Sequence, residues 1–314
     1  MRTRTHRNRE HSLQAPLAAG WIARPSQERA GCGWRQDRFQ GRRRGFTLIE
    51  LLVVISILSL LMTILMPALG RAREGGRSTV CLANVRRLAV AGVMYVDDEG
   101  AFPPFRMASL SPGVIFVNKY GRQSPRWQWF FDQGVGPVID PAPYRVQGSF
   151  GDKDTLLMTN DYFICPSFDP SEFDRRDIRN GAYGYNWQYL GNARVENGRY
   201  QNFPVTLEKI RRPAATVMIA DSRGGGLIHG PHSYTLDPPK VAREIGADRF
   251  GPGADAPIAH SPASARHNGR ANVSFVDGHA ESMSLADLGY VPDDKGHVVG
   301  DHPEASNRLW GQSR

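Results

Sequence analysis

The stretch from Phe46 to Met66 restricts this chain more than any other. It runs for 21 residues with Glu50 as its sole charged side chain. An apolar segment of about 20 residues is what an α-helix needs to cross ~30 Å of hydrocarbon. In lipid the backbone must satisfy its own polar groups, so a single crossing segment is helical. Arg42, Arg43 and Arg44 flank its N-terminal side. Basic residues stay in the cytoplasm, which sends everything after Met66 across the membrane. A cleaved secretory signal would have a shorter apolar core and a small-residue cleavage site. Here the run is long, and Pro67 and an amphipathic pattern follow it. A retained single-pass span in the inner membrane is expected, with a periplasmic or otherwise extracytoplasmic C-terminal domain.

The charge distribution agrees. The whole chain of 314 residues carries a formal net charge of +8. Residues 1–45 hold eleven arginines against Glu10, Glu28 and Asp37, which accounts for all of that excess. The remainder is balanced, so a basic nucleic-acid-binding domain is disfavoured and no nucleic-acid partner is expected. The tail acts as an orientation signal.

Glu50 is harder to explain. A carboxylate in the hydrocarbon region costs roughly 2.5–3.5 kcal/mol even on the lenient insertion scale. An acid that snorkels to the membrane surface is one reading. The pattern around it offers another. A basic cluster, Gly45, then Phe46-Thr47-Leu48-Ile49-Glu50, and an apolar run with Pro67 at its 22nd position resembles the N-terminus of type IV pilins and type II secretion pseudopilins. That resemblance implies cutting between Gly45 and Phe46 by a prepilin peptidase and methylation of the new Phe46 amine. Glycine suits a tight protease cleft because it has no side chain. It also implies assembly with other pilin-like subunits. The Glu50 carboxylate of one subunit would neutralise the Phe46 amine of its neighbour, since buried charges are tolerable only when paired.

Beyond the span, Pro67 and Gly70 should loosen the helix, and the pair Gly75-Gly76, costing about 2 kcal/mol of helix propensity, should mark a flexible point. Cys81, Val85, Leu88, Gly92 and Tyr95 fall on one helical stripe, with Arg86, Arg87 and Asp97 off it. Residues 77–98 therefore read as an amphipathic helix ending near Gly100. The rest contains short β-like runs, Val114–Val117, Ala215–Ala220 and Asn272–Val276, between Gly/Pro-rich loops. The expected fold class is α+β: one long N-terminal helix laid across an antiparallel sheet. The organisation follows as a leader over 1–45, a transmembrane half over 46–66, an amphipathic half over 67–100, and a globular domain over 101–314. Gly224-Gly225-Gly226 lacks the following Lys-Ser/Thr of a phosphate loop.

The C-terminal stretch "ARHNGRANVSFVDGHAESMSL" (265–285) has nine residues between His267 and Asp277-Gly278. This resembles an H-X9-DG element that accompanies prepilin-type N-termini in a large family of pseudopilin-like bacterial proteins. "CLANVRRL" (81–88), "YVDDEGAFPP" (95–104), "FICPS" (163–167), "YGYNWQYLG" (183–191) and "RRPAATVMIADS" (211–222) are similar to other pieces of that family. Physically, Asp277-Gly278 between two β-like runs is a two-residue hairpin signal of type I′. A metal reading also exists: His267, Asp277 and His279 could converge, with His229, His232 or His260, as a zinc set. Calcium would want more oxygen ligands than this segment offers. The turn is the plainer reading, and no metal or cofactor is expected.

Cys32 lies in the leader, whereas Cys81 and Cys165 both lie beyond the membrane, where oxidation is permitted. A bridge between them would tie the helix to the domain and is worth ~2–4 kcal/mol; two separately buried thiols are the other reading. The chain contains no G-x-S-x-G, H-E-x-x-H or C-x-x-C pattern, and Asp221 at a strand end reads as a turn residue, so an enzyme is not expected. The alternative to a filament subunit is a membrane-tethered binding domain that reuses the export signal. In it Trp127, Trp129, Phe130, Phe131, Tyr185 and Trp187 would line a polysaccharide cleft, although core packing is the commoner use of such residues.

Overall fold

The computed structural model describes residues 45–105, 125–139, 157–169, 178, 182–191, 194–196, 199–201, 205–223, 234–240, 261–294 and 298–311. The expected run Val114–Val117, the glycine triplet at 224–226 and His229, His232 and His260 lie outside them. The chain divides into two units, Met1–Ile55 and Ser56–Arg314.

One helix, α1, covers Leu48–Glu99, 52 residues. Pro67 lies inside it, and Gly70, Gly75 and Gly76 are helical as well. The expected loosening at these positions does not break the element. A single proline removes one backbone hydrogen bond, and the remaining turns carry the helix through. It stops where the sequence says it should: Gly100 takes a left-handed φ of 72°, and its N–H donates to the Val96 carbonyl at 2.8 Å. Only glycine reaches that conformation without strain.

Helix α1 changes character along its length. Phe46 to Leu69 present exposed apolar side chains, whereas Cys81, Asn84, Val85, Leu88, Ala89, Ala91, Gly92 and Val96 are buried. Arg86, Arg87 and Asp97 stay on the wet side, as the 3.6-residue period demands. Tyr95, placed on the buried stripe from the sequence, is half-buried and meets Phe130 edge-on, with ring centroids 5.6 Å apart. Gly92 lies at the closest approach. A Cβ there would sit 2.8 Å from Phe131 Cζ and 3.0 Å from Met218 Sδ.

The strands are β1 (Tyr183–Asn186), β2 (Arg194–Glu196), β3 (Arg199–Gln201), β4 (Val217–Asp221), β5 (Thr235–Leu236), β6 (Ala271–Phe275), β7 (Ala280–Met283), β8 (Val291–Pro292) and β9 (Val298–Val299). Five of them form one sheet in the order β5-β1-β4-β6-β7; β2-β3 and β8-β9 are separate two-stranded pairs. Strands β1, β4, β6 and β7 pair antiparallel, with Tyr183 opposite Asp221, Ala220 opposite Val273, and Ala271 opposite Met283. The α+β layout is the expected one. The sheet is mixed rather than purely antiparallel, because β5 pairs with β1 in parallel, Tyr185 opposite Thr235. A strand that reverses after β4 and lands on the far side of β1 must run parallel to β1.

Both faces of the central sheet are covered, and β1, β4 and β6 are buried along their whole length. Toward the helix lies a core of Val85, Leu88, Trp127, Phe131, Tyr185, Met218 and Ile219. Val217, Ala220, Val273, Phe275, Leu288 and Trp310 belong to a second core. Strand β6 alternates strictly: Ala271, Val273 and Phe275 join the second core, while Asn272 and Ser274 between them are buried polar residues. In β4 the consecutive Met218 and Ile219 both join the helix-side core, and the register shifts between Val217 and Ile219. Such an irregularity is what allows neighbours to share a face.

The aromatic residues considered for a sugar cleft are core residues. Trp127, Trp129, Phe131, Tyr185 and Trp187 are all buried and Phe130 is half-buried. Trp127 packs against Phe131 with centroids 5.2 Å apart and donates its Nε1–H to the Tyr234 carbonyl at 2.6 Å. Tyr185 donates its hydroxyl to the Pro103 carbonyl at 3.0 Å. Large rings with a satisfied polar atom belong in an interior.

Candidate functional site

Two places in the chain gather polar groups where the surroundings are apolar. The first is the start of α1. Gly45 and Phe46 precede the helix and are exposed, Phe46 at 75%. Thr47 and Glu50 form a reciprocal cap: the Glu50 N–H donates to Thr47 Oγ1 at 3.2 Å, and the Thr47 N–H donates to Glu50 Oε2 at 2.8 Å. The Thr47 hydroxyl adds a third bond to the same carboxylate oxygen at 2.9 Å. This is a capping box, T-x-x-E, which satisfies N–H groups that a helix start leaves open. The pattern is present in the sequence as Thr47-Leu48-Ile49-Glu50 and was readable there. Pro67, the other expected assembly residue, lies within the unbroken helix. None of the residues in the apolar window of α1 is buried.

The second place is a buried cluster assembled by four separate segments. Helix α1 supplies Cys81, the "FICPS" segment supplies Cys165, the last position of β4 supplies Asp221, and the turn before β6 supplies His267. All four are buried, at 0–2% exposure. Their sulfur, nitrogen and carboxylate atoms lie within 4.8 Å of one another. Cys81 Sγ is 3.3 Å from Asp221 Oδ1, and Cys165 Sγ is 3.4 Å from His267 Nε2. His267 Nε2 also lies 3.3 Å from Asp221 Oδ2.

A shell of further contacts holds these groups. His267 Nδ1 is 2.7 Å from Glu74 Oε1, and the Ser167 hydroxyl donates to that same oxygen at 2.7 Å. An ionised carboxylate can only accept, so His267 donates through Nδ1 and turns Nε2 toward the cluster. The Asn272 N–H donates to Asp221 Oδ2 at 2.8 Å, and the Asn272 side chain reaches back to the Ser78 carbonyl of α1 at 3.0 Å. Arg266 Nε lies 3.9 Å from Asp221 Oδ1, and its guanidinium stacks over Phe168. The Tyr183 hydroxyl donates to Cys81 Sγ at 3.5 Å. Asn84, one turn along α1 from Cys81, donates to the carbonyls of Asp161 and Ile164 and so fixes the segment that carries Cys165.

The electrostatics of the cluster are strongly perturbed. The Cys165 thiol is brought down to about 6, first by its hydrogen bond with Cys81, against the cost of burial, and then by its bond with His267. Burial chiefly pushes the Cys81 thiol up, joined by its bond to Cys165 and the Asp221 charge. For His267, burial pulls down, but hydrogen bonds with Asp221 and Cys165 and the charge of Asp221 outweigh it and carry the imidazole up to about 10. One buried thiol yields its proton readily here while its neighbour keeps its own.

Several sequence expectations are corrected by this geometry. Cys81 and Cys165 do come together, but as free thiols rather than a disulfide, each sulfur being engaged by other partners. Asp221 is a buried member of the cluster rather than a turn residue. His267 does not converge with Asp277 and His279. His279 pairs with Asp277, Nδ1 to Oδ1 at 2.5 Å, and stacks on Phe275 with centroids 4.3 Å apart. The turn at Asp277-Gly278 is not of type I′ either. Gly278 has φ of 88°, but Asp277 is not among the residues with positive φ. The Gly278 N–H donates to the Phe275 carbonyl at 3.0 Å and the Phe275 N–H to the His279 carbonyl at 3.0 Å. That is a three-residue loop in which a left-handed glycine closes the hairpin. The type I′ geometry occurs nine residues earlier. Asn268 and Gly269 have φ of 51° and 82°, and His267 and Arg270 exchange both backbone hydrogen bonds at 3.0 Å. The Asn-Gly pair in "RHNGRA" was the signal for it, and this turn sets the position of His267.

Comparison with known proteins places the first of these sites. Residues 40–66 match the family model of the prokaryotic N-terminal methylation motif. The major component of the type IV wide pilus of Thermus thermophilus, PilA4, is 37% identical to this chain over 71 residues, 23% of this chain and 54% of that protein. The chain thus spans about half the length of that curated relative. No solved structure matches significantly. With the methylation motif over residues 40–66, a long apolar helix leading into an α+β domain and a pilus component as a relative over part of its length, the chain is similar to type IV pilins.

Proposed function

We propose that the chain is a structural subunit of a type IV pilus or related pilin-like filament, assembled through its N-terminal helix. The observation that carries this reading is the match of residues 40–66 to the methylation motif at a helix whose N-terminal apolar side chains are exposed. Such a surface requires either lipid or the helices of neighbouring subunits. In this reading the basic segment 1–45 stays in the cytoplasm, and a prepilin peptidase cuts between Gly45 and Phe46 and methylates Phe46. Residues 46–66 hold the subunit in the inner membrane, 67–100 continue the helix, and 101–314 form the extracytoplasmic domain. Glu50 then neutralises the Phe46 amine of an adjacent subunit, and Pro67 eases helix packing in the filament core. The subunit acts by position and packing, not by catalysis. The buried aromatic residues remove the basis for a polysaccharide cleft.

Processing and assembly are tested together by comparing wild type with Gly45→Leu, where a branched side chain replaces the glycine at the cut. Wild type should appear in sheared filaments, or in crosslinked multimers, as the shortened chain. Gly45→Leu should remain a full-length membrane monomer. Equal recovery of uncut Gly45→Leu chains in filaments would contradict the reading, and so would a cut wild type that forms no multimers.

A further inference from the structure

Among the described residues one grouping of metal-capable side chains stands out, and nothing in the assembly reading uses it. We propose that Cys81, Cys165, Asp221 and His267 bind a structural zinc ion that fastens helix α1 to the sheet. The proposal is independent of filament assembly, since it concerns the fold of the subunit itself.

The donor spacing supports it. Zinc bonds of about 2.0–2.3 Å at tetrahedral angles put neighbouring donor atoms roughly 3.3–3.8 Å apart. The cluster has sulfur to carboxylate oxygen at 3.3 Å, sulfur to imidazole nitrogen at 3.4 Å, and nitrogen to carboxylate oxygen at 3.3 Å. These three contacts, which use both Asp221 oxygens, have the length of tetrahedral edges, and one donor atom from each of the four residues lies within 4.8 Å of the others. The donor set, two thiolates with an imidazole and one carboxylate oxygen, suits zinc rather than the oxygen-seeking calcium or magnesium.

The surroundings have the form of an outer shell. Histidine ligands of zinc usually donate their other ring N–H to a carboxylate, and Glu74 receives it from His267 at 2.7 Å. The Asn272 N–H orients Asp221 at 2.8 Å. Zinc with two thiolates, a carboxylate and a neutral imidazole carries one net negative charge, and the Arg266 guanidinium 3.9 Å from Asp221 offsets it. Binding releases the thiol protons and any second proton on His267 to solvent, with no redox change. The four ligands are closed from solvent, leaving no position for substrate, as in structural rather than catalytic zinc sites. Two ordinary states compete with the ion: a hydrogen-bonded cluster of thiols with a charged His267, and an oxidised Cys81–Cys165 bridge.

The test uses the full chain extracted from membranes in detergent, with neither chelator nor added metal. Elemental analysis should find about one zinc per chain. Cys81 and Cys165 should resist alkylation until a chelator is added, and chelation should lower the melting temperature. Replacement by cobalt(II) should give the strong visible bands of a tetrahedral thiolate site. Glu74→Gln should weaken zinc about 10–100-fold without changing the stoichiometry, whereas His279→Ala should leave both unchanged. Cys165→Ser should abolish binding, and if it fails to fold, the cobalt spectrum of wild type decides. A chain without zinc that develops no thiolate–cobalt bands would overturn the proposal, as would a linked Cys81–Cys165 peptide in the unreduced protein.

Discussion

Thr47 and Glu50 bind each other three times, through two bonds to one Glu50 oxygen and one from the Glu50 N–H back to Thr47 Oγ1. The single acid in the apolar span thus has a role within its own chain, as the N3 member of a capping box. The pairing proposed with a neighbouring Phe46 amine is a second role, and glutamine separates the two. Glutamine can fill the N3 place of a capping box but carries no charge. Glu50→Gln should keep helix content and membrane insertion yet lose assembly nearly as fully as Glu50→Leu. A broken buried pair costs ~3–5 kcal/mol, or about two to four powers of ten in an assembly constant. Intersubunit crosslinking at matched membrane levels measures it. Wild-type assembly by Glu50→Gln would assign the acid to capping alone.

Glycines in α1 divide by surroundings. Gly75 and Gly76 face open space, with nothing within 4 Å of a built Cβ. Gly75→Ala and Gly76→Ala should each raise stability, by up to ~1 kcal/mol from helix propensity. Gly92→Ala gains the same propensity but drives its Cβ to 2.8 Å from Phe131 Cζ. Overpacking costs about 1–3 kcal/mol, so this variant should be the less stable. Thermal melts of the three in detergent give the signs; a stabilised Gly92→Ala would show that the helix does not press on the sheet there.

The Asn268-Gly269 turn is a further target. Gly269 has φ of 82° and no heavy atom within 4 Å of a built Cβ. The cost of Gly269→Ala is therefore conformational, about 1–2 kcal/mol, and the melting temperature should fall accordingly. Asn268→Gly should be tolerated, since glycine adopts the left-handed conformation freely. An unchanged melting temperature for Gly269→Ala would mean that the turn which positions His267 is not under conformational restraint.

What the sequence made legible follows from what is periodic or local in it. The apolar span, the buried stripe at Cys81, Val85 and Leu88, the stop at Gly100 and the strands around Met218 and Val273 are encoded by spacing along a few turns or residues. The parallel seating of β5 on β1 was not legible, because strand neighbours are chosen by packing and not by pattern. The cluster was half visible: Cys81, Cys165 and His267 each drew attention, but their meeting depends on four segments whose separations have no period. The alternative metal reading grouped His267 with Asp277 and His279 because they are near in sequence, while Asp221 reads as an ordinary strand end. Two tight-turn signals lay nine residues apart, and the Asn-Gly pair rather than the Asp-Gly pair forms the type I′ turn.

The account of this chain as a processed, pilin-like subunit rests on a cut at one peptide bond, and the intact mass of the membrane-extracted protein reports on it directly. The expected mass is that of a chain that begins at Phe46, lacks residues 1–45 and carries one methyl group on its N-terminal amine. A chain that retains the segment 1–45, or whose first residue is anything but Phe46, would contradict it.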